Sequence, residues 1–184
     1  MPTPIIVLII IAAIVLLYAV ATYNRLVDKR NKVANSWSQI DVQLKRRFDL
    51  IPNLLETVKG YAAHEKQTFA DVTEARTKYL SAGSHQDAIS ADTALSKGLG
   101  RLFAVAEAYP ELKANTNFLE LQEELKNTEN KISFARQFYN DVVMDYNNAV
   151  QMFPSSIIAG MFQFKTDEFI RVDEAEAAAP KIKF

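Results

Sequence analysis

Ile5 to Val20 reads IIVLIIIAAIVLLYAV without a charge, and Ala21 to Tyr23 extend it toward the roughly 20 apolar residues that span a bilayer core as a helix. No other feature narrows the fold as much, because a backbone in hydrocarbon must satisfy its own N–H and C=O groups, and a lone segment can do so only as a helix. Asn24, Arg25, Lys29, Arg30 and Lys32 follow at once, whereas MPTP ahead of the run carries no Lys or Arg. A cleaved signal peptide is the competing reading, and Ala19-Val20-Ala21 has the small residues of a cleavage site. Cations missing before the run and clustered behind it favour a retained anchor. The positive-inside rule then places Met1 outside and the bulk of the chain in the cytoplasm, with Tyr23 in the interfacial belt.

The 184 residues suit about one domain. Lys and Arg number 21 against 22 Asp and Glu, a net charge of -1, which supplies no general attraction to nucleic acid. Cysteine is absent, so disulfides, thiolate metal sites, a Cys nucleophile and a lipidated Cys anchor are excluded. With only 5 Gly and 6 Pro, the composition favours helix throughout.

Between Asn24 and Ala82 the only Gly is Gly60 and the only Pro is Pro52, so the membrane helix is expected to continue as a long stalk. Val33, Trp37, Ile40 and Leu44, then Phe48, Ile51, Leu55, Val58 and Ala62, then Phe69, Val72 and Tyr79 recur at the spacings of a bundle seam. Two consecutive steps of four around Leu44 resemble a stutter, and Pro52 just beyond it predicts a kink near residues 48–52. SAGSHQDAIS, Ser81 to Ser90, is the first clear turn. A second helix is expected from about Asp87 to Ala108, weakened at Gly98 and Gly100. Asn117 with Glu120 resembles a capping box opening a third helix at Phe118. Its seam runs Phe118, Leu121, Leu125, Thr128, Ile132, Ala135, Tyr139, Val142, Tyr146 and Ala149. A tail helix is expected from Phe164 to Ala175.

Motifs for chemistry are incomplete. Neither histidine follows a Glu by three residues, as a di-iron bundle needs. His64-Glu65 begins a zincin motif, but Thr68 occupies the second His position. There is no phosphate-binding G-x-x-x-x-G-K-[ST] loop and no G-x-S-x-G elbow. No catalytic residue, metal ligand or cofactor site is therefore assigned.

Polar residues on the seam stand out. LKRRFDLIPNLL, residues 44–55, sets Arg46, Arg47, Asp49, Pro52 and Asn53 among buried-helix spacings. Glu129, Asn130, Arg136, Tyr139, Asn140, Tyr146 and Asn147 flank the apolar positions of the third helix, with Tyr-Asn repeated one heptad apart. They are expected either to form an interior polar layer that fixes register, with Asp49 inside it, or to present a surface for a partner. A solvated helix flank is the plainer alternative for each residue alone. FPSSIIAGMFQF, Phe153 to Phe164, is an apolar loop. Its Ile157, Ile158, Met161 and Phe162 are expected either to fold over the bundle end or to contact a membrane or partner.

YNRLVDKRNKVANSWSQIDVQLKRRFDLIPNLLETVKGYAAHE, LFAVAEAYPELKAN, LQEELKNTENKISFARQFYNDVVMDYNNAV and FPSSIIAGMF together resemble the LemA family of bacterial membrane proteins. The resemblance covers nearly the whole chain. It implies an N-terminal single-pass anchor in a bacterial plasma membrane, a mostly helical up-and-down four-helix bundle, and no established activity.

The expected architecture is all-α: an anchor over residues 1–23, a helical bundle over 24–175 and a frayed or disordered tail over 176–184. The expected role is a membrane-anchored scaffold or adaptor, with the lipid bilayer as one partner and a second copy or other membrane proteins as further candidates. An enzyme of unknown type would instead show Arg46, Arg47, Asp49 and a second-helix carboxylate converging around open space. A signal-coupling role would require two conformations of the stalk.

Overall fold

The computed structural model describes residues 3–62 and 64–171. Its regular elements among these residues are seven α-helices: α1 Thr3–Asp49, α2 Ile51–Lys59, α3 Lys66–Leu80, α4 His85–Ala106, α5 Pro110–Lys113, α6 Thr116–Gln151 and α7 Ser155–Met161. The apolar stretch of α1 leaves every residue from Ile5 to Leu17 exposed. It is the one helix among the described residues long and apolar enough to cross a membrane. A helix that is apolar all round has no polar face for water, and lipid is the solvent it suits.

At the expected kink the regular helix is interrupted for one residue, Leu50, whose own backbone stays helical. The α1 helix stops at Asp49, Leu50 donates to the Arg47 carbonyl at 3.3 Å, and α2 restarts with Pro52 in its first turn. There a proline's missing N–H is no loss, since the first helical donors lack partners anyway. The expected stalk reaching Ala82 is corrected, because α2 ends at Lys59. Tyr61 and Ala62 both donate to the Val58 carbonyl, at 3.0 and 2.9 Å. These two hydrogen bonds close the helix at Gly60, a residue of poor helix propensity. The α3 helix then returns, and Tyr79 near its end stacks on Phe48 with ring centroids 4.2 Å apart.

The α4 helix starts as Ser84 accepts from the Asp87 N–H at 3.1 Å. Asn115, not Asn117, caps α6: its side chain accepts from the Phe118 N–H at 3.0 Å. The α6 seam also departs from expectation. Phe118, Leu125, Thr128, Ile132, Tyr139 and Tyr146 are buried, but Arg136, Val143 and Asn147 take the inner positions expected of Ala135, Val142 and Ala149. Steps of four from Ile132 to Arg136 and from Tyr139 to Val143 tilt the buried stripe to one side, while Tyr139 and Tyr146 keep their expected places. The segment expected as a loop after Phe153 contains α7, while Phe164 to Arg171 form no helix, correcting the expected tail helix there. The expectation for residues 176–184 lies outside the described residues.

The chain divides into two compact units. The first takes Met1–Ser38 and Gln137–Phe169; the second takes Gln39–Arg136 and the described residues from Ile170. Each of α1 and α6 contributes to both. In the first, Leu26, Ile158 and Ala159 form a small core joined by Ala19, Ala149, Val150 and Phe164. In the second, Ile40, Leu44, Phe48, Ile51, Leu54, Val58, Val72, Leu95, Leu102, Leu112 and Leu125 are buried.

The two glycines of α4 have different jobs. A Cβ on Gly98 would sit 3.0 Å from the Val72 side chain, whereas one on Gly100 would meet nothing within 4 Å. Gly98 therefore lets α3 and α4 approach. Gly98→Leu is expected to cost about 1–3 kcal/mol by overpacking, and Gly100→Ala to stabilise by about 1 kcal/mol through helix propensity. Denaturant melts of the two variants check this contrast.

Candidate polar site

Arg47 occupies the turn after Ile40 and Leu44 on the buried stripe of α1, beside Phe48 and Ile51, so its side chain enters the core. It is 1% exposed. On α4, Asp92 takes an inward slot between Ile89 and Leu95 and is 2% exposed. Arg47 Nη1 donates to Asp92 Oδ1 at 2.5 Å, and Nη2 donates to Ser96 Oγ at 3.1 Å. Nη2 also lies 3.4 Å from Glu129 Oε1 on α6, and Ser96 donates to that oxygen at 3.2 Å. One planar guanidinium thus joins three helices, a task its fixed fork of donors suits better than a lysine.

Burial pushes the Asp92 carboxyl above the usual range, against the pull of Arg47 and Arg136 and with Glu129 adding repulsion. Desolvation therefore outweighs attraction here, as often happens for buried pairs. Arg47 Nε is buried without a protein hydrogen-bond partner. A cavity of ≈ 300 Å³ borders Arg47, Ser96 and Glu129, with Leu99, Gly100, Phe103, Gln122, Leu125 and Lys126 as its other walls. The charged groups thus meet one another at its edge.

The other sequence candidates separate into distinct settings. Arg46, next to Arg47 but turned outward, is half-exposed and pairs with Glu124 of α6 at 2.5 Å. Asp49, expected inside, is exposed, as are Pro52, Asn53 and Asn130. With about 100° between successive helical residues, a register that buries Arg47 and Phe48 turns Asp49 away. The Tyr79 phenol is pushed up to about 12, first by burial, then by Asp41, to which it donates at 3.3 Å, and by Asp49. Its folded value lies above the ~10 of an unfolded tyrosine, so the associated stability is full below pH ~10 and lost as pH rises toward 12. Tyr79→Phe is expected to blunt that alkaline loss and remove one late-ionising phenol from an ultraviolet titration.

Tyr139, Tyr146 and Asn147 belong to the first unit and serve a different contact. Asn147 donates to the Asp167 carbonyl and accepts from the Asp167 N–H, both at 2.9 Å. Tyr139 donates to the Glu168 carbonyl at 3.4 Å and meets Trp37 edge to face. Burial followed by nearby carboxylates raises both phenols, Asp167 and Glu168 acting on Tyr139 and Asp167 on Tyr146, where Arg30 opposes. Asn140 is half-buried and Arg136 buried. Tyr139 and Asn147 thus hold the irregular segment after α7, a use for these two members of the Tyr-Asn repeat that spacing could not reveal. Lys29 is buried and paired with Asp145. Of the α7 candidates, Ile158 is buried, while Ile157, Met161 and Phe162 are exposed.

Asp92 and Ser96 were missed individually. The available signal was an Asp on the apolar stripe Ala88, Ile89, Leu95 of a helix. Among the described residues, no group of three or more His, Cys, Asp or Glu side chains is arranged to hold a metal ion.

A model of the LemA family matches residues 36–184. Magnetosome protein MamQ 2 of Paramagnetospirillum magneticum is 24% identical over 175 residues, covering 81% of this chain and 64% of that protein. Magnetosome protein MamQ of Magnetospirillum gryphiswaldense is 23% identical over 173 residues, covering 80% and 64%. Protein LemA of Metamycoplasma hominis is 24% identical over 162 residues, covering 83% and 74%. The chain thus spans slightly under two thirds of the length of the magnetosome relatives.

Proposed function

We propose that this chain, which belongs to the LemA family, is a membrane-anchored helical scaffold or adaptor that holds its helices beneath the cytoplasmic face of the plasma membrane, where it self-associates or engages other membrane proteins. The observation that carries the reading is the Arg47–Asp92–Ser96–Glu129 cluster. Its charged groups contact one another across α1, α4 and α6, whereas an enzyme's groups would be directed at a substrate. Buried polar contacts of this kind can fix how helices meet, at some cost in stability. The orientation rests on Arg25, Lys29, Arg30 and Lys32 following the apolar run. Relatives named as magnetosome proteins, with the family match, support a membrane-associated place for the chain.

Native mass spectrometry of the full chain extracted in mild detergent is expected to give an oligomer or a protein complex, and a reporter fused after Phe184 should behave as cytoplasmic. A monomer carrying a bound small molecule would contradict the scaffold reading. Periplasmic reporter activity would overturn the orientation.

A further inference from the structure

We infer that α7 and its flanks form a second membrane contact, an interfacial foot lying in the leaflet that α1 leaves; this rests on reading the apolar run of α1 as the membrane span. Residues 151–164 carry no charged side chain. Phe153 and Met161 are 81% and 71% exposed, and Met152, Ile157 and Phe162 are more than half exposed. Scattered exposed apolar side chains are ordinary, but a cluster in one charge-free segment marks a surface that is covered in use.

The opposite face of the segment identifies the cover. Ile158 and Ala159 pack on Leu26 within a core that includes Ala19, and the Tyr23 ring meets Phe162 and Phe164 at centroid separations of 4.8 and 5.7 Å. The foot is therefore fastened to α1 between Ala19 and Leu26, where the apolar run gives way to polar residues. At 1.5 Å per residue this stretch covers about 10 Å of helix axis. The headgroup region on one side of a bilayer is about 5–8 Å thick, so an element fixed there cannot lie far from it. Interfacial helices bury an apolar face about 5–10 Å into this boundary. Arg30 lies over the Phe164 ring, with its centre 5.4 Å from the ring centroid, and exposed Arg25 lies five residues earlier on α1. These cations suit phosphate headgroups at the level where Tyr18 and Tyr23 supply interfacial rings. A lipid surface is thus the occupant indicated by charge, position and composition together.

The absence of cysteine permits a direct test with single spin labels on the full chain. Phe153→Cys, Met161→Cys, Ile11→Cys and Lys131→Cys are labelled and reconstituted into phosphatidylcholine vesicles containing phosphatidylglycerol. Labels at Phe153 and Met161 are expected to lose collisions with a water-soluble nickel chelate and gain them with oxygen, following Ile11 in the span and opposing exposed Lys131. Chelate access at Phe153 and Met161 equal to that at Lys131, with Ile11 protected, overturns the foot and leaves the span intact. Chelate access at Ile11 as well overturns both. Dipolar broadening between copies, lost on dilution with unlabelled chain and accompanied by poor oxygen access, assigns the patch to a second copy and also overturns the proposal.

Discussion

Arg47→Ala is expected to destabilise the fold by about 3–5 kcal/mol, the usual consequence of stranding one member of a buried ion pair. Asp92 is 2% exposed, and truncating Arg47 leaves its carboxylate without the guanidinium. Glu129 cannot replace the loss, since it carries the same charge. Arg46→Ala supplies the contrast. It removes the same charge one residue earlier, but from a half-exposed pair with Glu124, and should cost about 0–1 kcal/mol. Denaturant unfolding of the full chain in detergent, followed by helical circular dichroism, compares the two. Equal losses would mean that burial does not govern this stretch.

Ile132→Ala is expected to cost about 2–5 kcal/mol, because Ile132 is 1% exposed and the deletion leaves a cavity. Phe134→Ala removes more carbon from the same helix, yet Phe134 is 72% exposed, and its loss should stay within about 0.5 kcal/mol. Val143→Ala should likewise exceed Val142→Ala, the reverse of what an unbroken seam through Val142 predicts. The same unfolding measurement decides both pairs, and a larger effect at Val142 would restore the simpler seam.

The all-α class, the apolar N-terminal helix and most of the buried stripes were legible because their signals are periodic and repeated. Leu125, Ile132 and Tyr139 reinforce one another along a helix, so an error at one position hardly shifts the reading. Single-residue decisions fared less well. Gly60 ends α2 and Asn115 caps α6 through individual hydrogen bonds, whose alternatives Asn117 and a continuing helix look equally good in sequence. The burial of Arg47 and the exposure of Asp49 depend on register at the interruption around Leu50, where drift over two or three residues decides which charge points inward. Asp92 had to be found as the partner of a charge more than forty residues away. No local pattern encodes such a pair, since only tertiary packing brings the two helices together. The Tyr-Asn repeat was visible, but its contact with Asp167 and Glu168 needed the chain to turn back after α7.

Arg47 and Asp92 are expected to act as a unit that holds α1 against α4. A double-mutant cycle in the full chain, using Arg47→Met, Asp92→Leu and the double variant, measures that directly. The prediction is a coupling of about 2–3 kcal/mol, the upper part of the range for residues in contact. The double variant should then be more stable than Arg47→Met alone, because neither charge is left stranded and the lost desolvation cost offsets much of the lost attraction. Additivity within about 0.5 kcal/mol, the behaviour of independent sites, with the double variant less stable than either single one, would contradict it.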